Sequence, residues 1–273
     1  MMDPLAFPPA LFGVMSALIQ ERTGIHYEES DKDLLVPKIM TRVVEAGFES
    51  PLDYYYYLRY DDATRREFDA LVETLVVCET YFFREIQQLR VLSDEVIAPR
   101  VERGERPRIW CAAAATGEEP LTLAMLLAEK GILDRVEIVA SDISTKALQR
   151  AKEGMYGPRS FRTLDVTTKT RWFDTSNELP VVSPELRAAI DWRRVNLVDE
   201  AQVLVLGKFD SIVCRNVLIY FDDVTVQRVA ATLTRALRDQ GRLVVGASES
   251  LMRFGTLLTC EERAGTFFYH KAA

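Results

Sequence analysis

A change of hydrophobic rhythm near Arg108 limits the fold more than any other feature of the sequence. Beyond it, four short apolar runs, RIWCAAA, VEIVAS, FDSIVC and GRLVVGA, are interleaved with helical patterns over Leu121 to Ala128, Lys146 to Lys152 and Val226 to Leu237. Strands alternating with helices predict a parallel sheet covered on both faces, an α/β fold. The finish differs: LLTCEE and TFFYHK stand only a few residues apart around Gly265, the spacing of a hairpin. The mostly parallel sheet is therefore expected to end in an antiparallel hairpin. The stretch from Tyr156 to Asp191 is too long for a plain connection and holds its own strand-like pieces, TRWFD and LPVVS. A small inserted β-subdomain over about 156–191 is expected there.

The front of the chain reads as helices. Leu11, Val14, Met15, Leu18 and Ile19 form one stripe, and Ile39, Met40, Val43 and Val44 a second that ends before Gly47. Phe68, Leu71, Val72, Leu75 and Val76 form a third, entered from Asp61 and Asp62. Of the four tyrosines Tyr54–Tyr57, two are expected to be buried and two half-exposed. A helical domain with its linker over 1–90 and an α/β domain over 91–273 follow.

Charge separates the same two parts. Residues 1–100 hold 10 Lys and Arg against 18 Asp and Glu, and the remainder 24 against 23. An acidic front argues against nucleic acid as substrate, since phosphate binding needs clustered positive charge. No run reaches the roughly 18–20 apolar residues of a membrane-spanning helix, so no direct membrane insertion is expected. The opening MMDPLAFPPALFGVM lacks the basic start of a secretory signal. Cys78, Cys111, Cys214 and Cys260 are widely spaced and His26 and His270 are the only histidines, which suggests neither a zinc site nor disulfides. The setting expected is a reducing cytoplasm.

Chemistry concentrates after the first apolar run. In RIWCAAAATGEEP, small residues leave a strand and enter a helix that Pro120 helps to start. Such a loop lets backbone approach a ligand at a helix N-terminus, although an Ala-rich turn is as often a packing device. Glu118 and Glu119 also suit a helix N-terminus on electrostatic grounds alone. Asp142 ends VEIVAS, where an acid can accept hydrogen bonds from ribose hydroxyls or can cap the helix beginning STKALQ. Loop plus acid point to an adenosine-type cofactor without saying which.

Five segments taken together choose among them. TYFFRE from Thr80 to Glu85, the WCAAAATGEEP loop, SDIS around Asp142, CRNVLIYF from Cys214 to Phe221 and GASESL from Gly246 to Leu251 resemble the chemotaxis receptor methyltransferase (CheR) family, in that family's order and over nearly the whole chain. The resemblance implies an N-terminal helical domain and a class I, Rossmann-like, S-adenosyl-L-methionine-dependent methyltransferase domain with a small β-subdomain. It places Thr80 and Arg84 at the methionine end of the cofactor, where a guanidinium can fork onto a carboxylate. It puts Asp142 at the ribose, Asn196 and Leu197 beside the adenine, Arg215 and Asn216 at the sheet edge, and Ala113, Gly117 and Glu118 along the cofactor.

The activity implied is methylation of glutamate carboxylates on the cytoplasmic methylation helices of chemoreceptors, leaving glutamate methyl esters and S-adenosyl-L-homocysteine. Glutamate is already anionic at neutral pH, so no general base is needed. Tyr220 matches a family tyrosine near the transferring methyl, and Arg108 an arginine that meets the incoming carboxylate. Lys38 and Arg42 mark a basic helix face that resembles the family's receptor-docking face; a monomer is expected. Three departures stand out. Cys78 replaces a usual asparagine, Trp110 precedes the loop where many class I enzymes have an acid, and no glycine-rich turn joins WFDTS to LPVVS. The last predicts no tethering to a receptor's C-terminal pentapeptide. A signalling scaffold that binds cofactor with weak or no transfer is the alternative; a nicotinamide dehydrogenase explains neither TYFFRE nor the terminal hairpin.

Overall fold

A computed structural model describes residues 7–272; the first six residues, on which the expectation about a secretory signal falls, and Ala273 lie outside the described residues. The chain divides into two units, one running up to Val77 and taking in Tyr220–Asp222, the other holding Cys78–Ile219 and the chain from Asp223 on. The division falls earlier than the expected boundary at residue 90 because of Phe82. That ring is fully buried and meets Tyr156, Phe161 and Phe173 at centroid separations of 4.8, 5.6 and 5.0 Å. TYFFRE therefore packs as part of the α/β unit.

The first unit contains helices Pro9–Thr23, Lys32–Glu45, Pro51–Tyr56 and Arg66–Leu75. Leu11, Met15, Leu18, Ile19, Ile39, Val43, Phe68, Leu71, Val72 and Leu75 are buried as their spacing predicts, but Val14 and Val44 are 43% and 61% exposed. Burial of Phe12 and Ser16 shows that the first helix turns its inner face away from Val14. Gly47 adopts φ +78° and Phe48 N–H closes on the Val43 carbonyl at 2.9 Å, the helix stop that a C′ glycine provides. Of the four tyrosines, Tyr54 is fully buried, Tyr55 and Tyr57 are half-buried and Tyr56 is exposed.

Among its described residues the second unit carries nine strands: β1 Arg108–Ala112, β2 Glu137–Asp142, β3 Phe173–Asp174, β4 Val181–Val182, β5 Ile190–Arg194, β6 Phe209–Cys214, β7 Leu237–Val245, β8 Leu258–Arg263 and β9 Thr266–Lys271. Seven form one sheet in the order β5-β2-β1-β6-β7-β9-β8. The first five run parallel, while β9 is antiparallel to β7 and β8, the expected closing hairpin. Every residue of β6 is buried, as a strand covered on both faces must be. β3 and β4 pair antiparallel as the inserted β-subdomain. The insertion ends sooner than expected, because Ile190 and Asp191 already pair with Ile138 and Val139 of β2.

Strand order reverses between β1 and β6, which leaves a crevice at their carboxyl ends. Helices Glu118–Glu129 and Thr145–Glu153 start just beyond β1 and β2. Both open at that same edge of the sheet. No helix among the described residues is long and apolar enough to cross a membrane.

Candidate functional site

Five residues other than glycine hold left-handed backbone at this edge: Phe83 and Glu85 in TYFFRE, Ala113 and Ala115 after β1, and Asn216 after β6. Each such residue costs on the order of 1–3 kcal/mol and persists only when its surroundings fix it. Here they do. Ala114 N–H donates to the Ser141 carbonyl at 2.8 Å, and Ala115 N–H to the Asp142 carboxylate at 2.8 Å. The other Asp142 oxygen accepts from Ser144 N–H at 2.9 Å. Ser144 rather than Asp142 caps helix Thr145–Glu153, its Oγ accepting from Ala147 N–H at 2.9 Å. Asp142 thus joins the ends of β1 and β2 and reaches the N-cap residue Ser144.

Residues after β5 come to the same place. Val195 N–H donates to the Asp142 carbonyl at 3.0 Å, so Asn196 and the buried Leu197 follow directly beside the end of β2. Asn196 is braced at its N–H by Gln202 Oε1, 3.0 Å away, and at its Oδ1 by Val198 N–H, 3.2 Å away.

Arg215 ties TYFFRE to the sheet. Its side chain is 1% exposed; Nη1 lies 3.0 Å from Glu119 Oε2, and Nη2 lies 2.9 Å from the Arg84 carbonyl and 3.2 Å from Glu85 Oε2. Burial raises Glu119 above the usual carboxylate range, and Arg215 only partly offsets that. Burial also pushes Glu85 upward, but Arg215 and the Ala247 N–H outweigh it and hold this carboxyl low. Arg84, half-buried, donates from Nη1 to the Glu79 carbonyl at 2.9 Å, and its Nε lies 3.8 Å from Glu85. Thr80 is half-buried and Cys78 exposed just ahead of it.

Glu118 is committed inward. Its two oxygens accept from Thr116 Oγ1 at 2.6 Å and Ser160 Oγ at 2.8 Å, and burial raises its pKa. It clasps the inserted segment to the loop after β1, aided by Tyr156, whose hydroxyl donates to the Thr116 carbonyl at 2.8 Å. Sequence reasoning missed Glu249, a buried carboxylate in GASESL that gathers backbone N–H groups of Asn216, Leu218, Ile219 and Gly246. Its only signal was the motif, because its partners other than Gly246 lie 30 or more residues away in sequence.

Three expectations need correction or relocation. Arg108 opens β1, so the strand carries it roughly 13 Å from the carboxyl edge. There Nε pairs with Glu137 at 2.9 Å, Nη1 donates to the Leu206 and Lys208 carbonyls, and the guanidinium covers Phe209 at 4.6 Å. It is a clasp at the amino edge. Arg42 forks onto Glu67, with Nη2 2.8 Å from Oε2, and its Nη1 reaches Glu45 at 2.6 Å, so it braces helices where a docking charge was expected. Lys38 Nζ lies 3.4 Å from the Leu75 carbonyl. Tyr220 groups with the helical unit, its carbonyl accepting from His26 N–H at 2.8 Å.

Residues 10–76 match the CheR methyltransferase all-alpha domain, and residues 78–264 the CheR methyltransferase SAM-binding domain. The chain belongs to the CheR methyltransferase family. Chemotaxis protein methyltransferase 2 of Vibrio cholerae is 35% identical over 91% of this chain and 88% of that protein. The chemotaxis protein methyltransferase of Escherichia coli is 33% identical over 92% and 87%. This CheR family member is a methyltransferase of chemotaxis that uses S-adenosylmethionine.

The side chains fit that cofactor. Arg84 offers a guanidinium to an amino-acid carboxylate, Asp142 an oriented acceptor for ribose hydroxyls, and Leu197 an apolar surface to a base. Glu118 and Glu119 begin helix Glu118–Glu129, where a dinucleotide would set its pyrophosphate. Both carboxylates are already engaged, Glu118 by Thr116 and Ser160 and Glu119 by Arg215, and neither offers a pyrophosphate a donor.

Proposed function

We propose that this CheR family member methylates glutamate side chains on the cytoplasmic methylation helices of chemoreceptors, forming glutamate 5-O-methyl esters for sensory adaptation. The observation that carries the reading is the make-up of the carboxyl edge: arginines and carboxylates held by backbone, with no histidine among the residues just named. An acceptor with a pKa of about 4.3 is already ionised at neutral pH and needs no base. The cofactor supplies a methyl on a sulfonium sulfur, which departs as a neutral thioether when a carboxylate oxygen takes the methyl.

The chain's own residues contribute position and exclusion of water, and good positioning alone can supply roughly 7–11 kcal/mol of a barrier. Arg84 holds the cofactor's carboxylate and Asp142 its ribose; Asn196 and Leu197 border the base; Thr80, Ala113, Gly117, Arg215 and Asn216 shape the cleft. Glu118 acts through Thr116 and Ser160. Tyr220, which follows the loop that Glu249 gathers, orients the reacting groups. Replacing Tyr220 by Phe is expected to lower turnover with cofactor affinity kept, and an unchanged turnover removes the hydroxyl from the mechanism.

Recognition of the receptor draws on Lys38 more than on Arg42, since Arg42 is committed to Glu67, and it needs no pentapeptide tether. The turn between β3 and β4 is closed by Asp174, which accepts from Ser176 N–H at 2.9 Å and Ser176 Oγ at 2.7 Å. Incubation with chemoreceptor cytoplasmic fragments and labelled cofactor, with and without the receptor's C-terminal peptide, tests both points. Label in glutamate esters, equal in the two cases, is the expected result. Binding of S-adenosylhomocysteine without transfer to any fragment makes the chain a scaffold, and dependence on the peptide restores tethering.

A further inference from the structure

Asp210 and Glu249 are buried carboxylates of the α/β unit with no part in the proposed chemistry; Asp210 is paired with Arg100 and Arg238. Glu249 is 5% exposed and sits in the loop after β7. Its Oε2 accepts from Asn216 N–H at 2.6 Å and Gly246 N–H at 2.7 Å. Its Oε1 accepts from Leu218 N–H at 2.7 Å and Ile219 N–H at 3.3 Å. Four donors on two oxygens describe a cradle built for an anion, here supplied by the protein itself. The cradle surrounds Asn216, whose φ of +58° an L residue holds only under constraint. Gly246 completes it: a Cβ there would come within 2.6 Å of Glu249 Oε2 and 2.8 Å of Asn216 Nδ2.

We infer that Glu249 is the positioning residue for the cofactor loop after β6, holding Asn216 through Ile219 in the conformation that receives S-adenosylmethionine. The inference rests on the cofactor site proposed above and adds a residue that does not itself touch the cofactor. Its chemistry is exacting. An amide at this position has a single acceptor oxygen, so Glu249→Gln can serve one pair of donors only and must aim its NH2 at the other pair. Glutamine is close to isosteric, so packing is kept while the cradle is halved.

The test is calorimetry with S-adenosylhomocysteine, beside thermal melting and hydrogen exchange of the segment 215–220. Wild type must bind first; if it does not, the cofactor reading itself fails and Glu249 is not in question. With wild type binding, Glu249→Gln is expected to weaken affinity by about tenfold to a hundredfold, the size of one or two lost charge-assisted bonds. Exchange in 215–220 is expected to quicken, with KM for the cofactor raised more than kcat is lowered. Gly246→Ala attacks the same cradle while leaving the carboxylate in place, and it is expected to give the same pattern should Glu249→Gln not fold. Variants that melt earlier yet bind with wild-type affinity overturn the inference, because a merely structural carboxylate would behave that way.

Discussion

Replacing Arg215 by leucine is expected to cost about 3–5 kcal/mol of stability, the usual loss when one partner of a buried ion pair is removed. A domain of this kind has roughly 5–15 kcal/mol in hand, so the variant should melt well below wild type or fail to accumulate. The loss has two parts. Glu119 and Glu85 lose their guanidinium, and the Arg84 carbonyl loses its donor, which unties TYFFRE from the sheet edge. Cofactor affinity should therefore fall with stability.

The sign of the pH dependence separates the parts. In the variant, burial, Glu249 and Glu85 all raise Glu119, and only Arg84 still lowers it. The folded state then holds the Glu119 proton more tightly than the unfolded chain does. Stability from that proton is present at acid pH and lost as pH rises from the ordinary value of 4.5 through the raised folded value. The deficit against wild type should widen over that window. Adding Glu119→Gln to Arg215→Leu should narrow the deficit and flatten its pH dependence, measured by denaturant unfolding. A deficit that neither grows with pH nor shrinks in the double variant assigns the loss to the TYFFRE tether alone.

How much of this was legible beforehand depended on whether the signal was local. FDSIVC and VEIVAS announced buried parallel strands because both faces of such strands are apolar. The loop after β1 and Asp142 could be paired because a strand's end and the next helix's start are visible in one stretch of chain. β5 was not legible: its sequence IDWRR is an edge strand with three exposed residues, so no apolar pattern marked it. Val14 misled because a neighbouring face, through Phe12 and Ser16, proved to be the buried one. Arg108 was assigned by motif position, and the direction of its strand sets it at the amino edge. Ligands gather where parallel strands end, and Arg108 stands where β1 begins. Arg215 acts through partners 96 to 131 residues away and Glu249, apart from Gly246, through partners 30 to 33 away, distances that no local pattern encodes.

Gly117→Ala is the second large effect expected, and it reaches the cofactor loop by a different route. Gly117 has φ +93° and ψ 3°, a conformation that costs an L residue roughly 1–2 kcal/mol. An added Cβ would also stand 2.8 Å from Ala151 Cβ and 2.8 Å from Trp192 Cη2. Ala151 is fixed on helix Thr145–Glu153, so the loop after β1 or the indole must move, and overpacking of this kind costs about 1–3 kcal/mol more. Together these correspond to a fall in melting temperature on the order of 10 °C for a domain of this size. The function should suffer beyond that, since the displaced residue joins Ala115, held by Asp142, to the start of helix Glu118–Glu129. Calorimetry below the melting point is expected to show weakened S-adenosylhomocysteine binding, and Trp192 emission should shift as its ring is pushed aside. An alanine variant with wild-type melting and affinity would mean that the loop tolerates a side chain at 117, and the close approach of backbone to cofactor at that point would have to be given up.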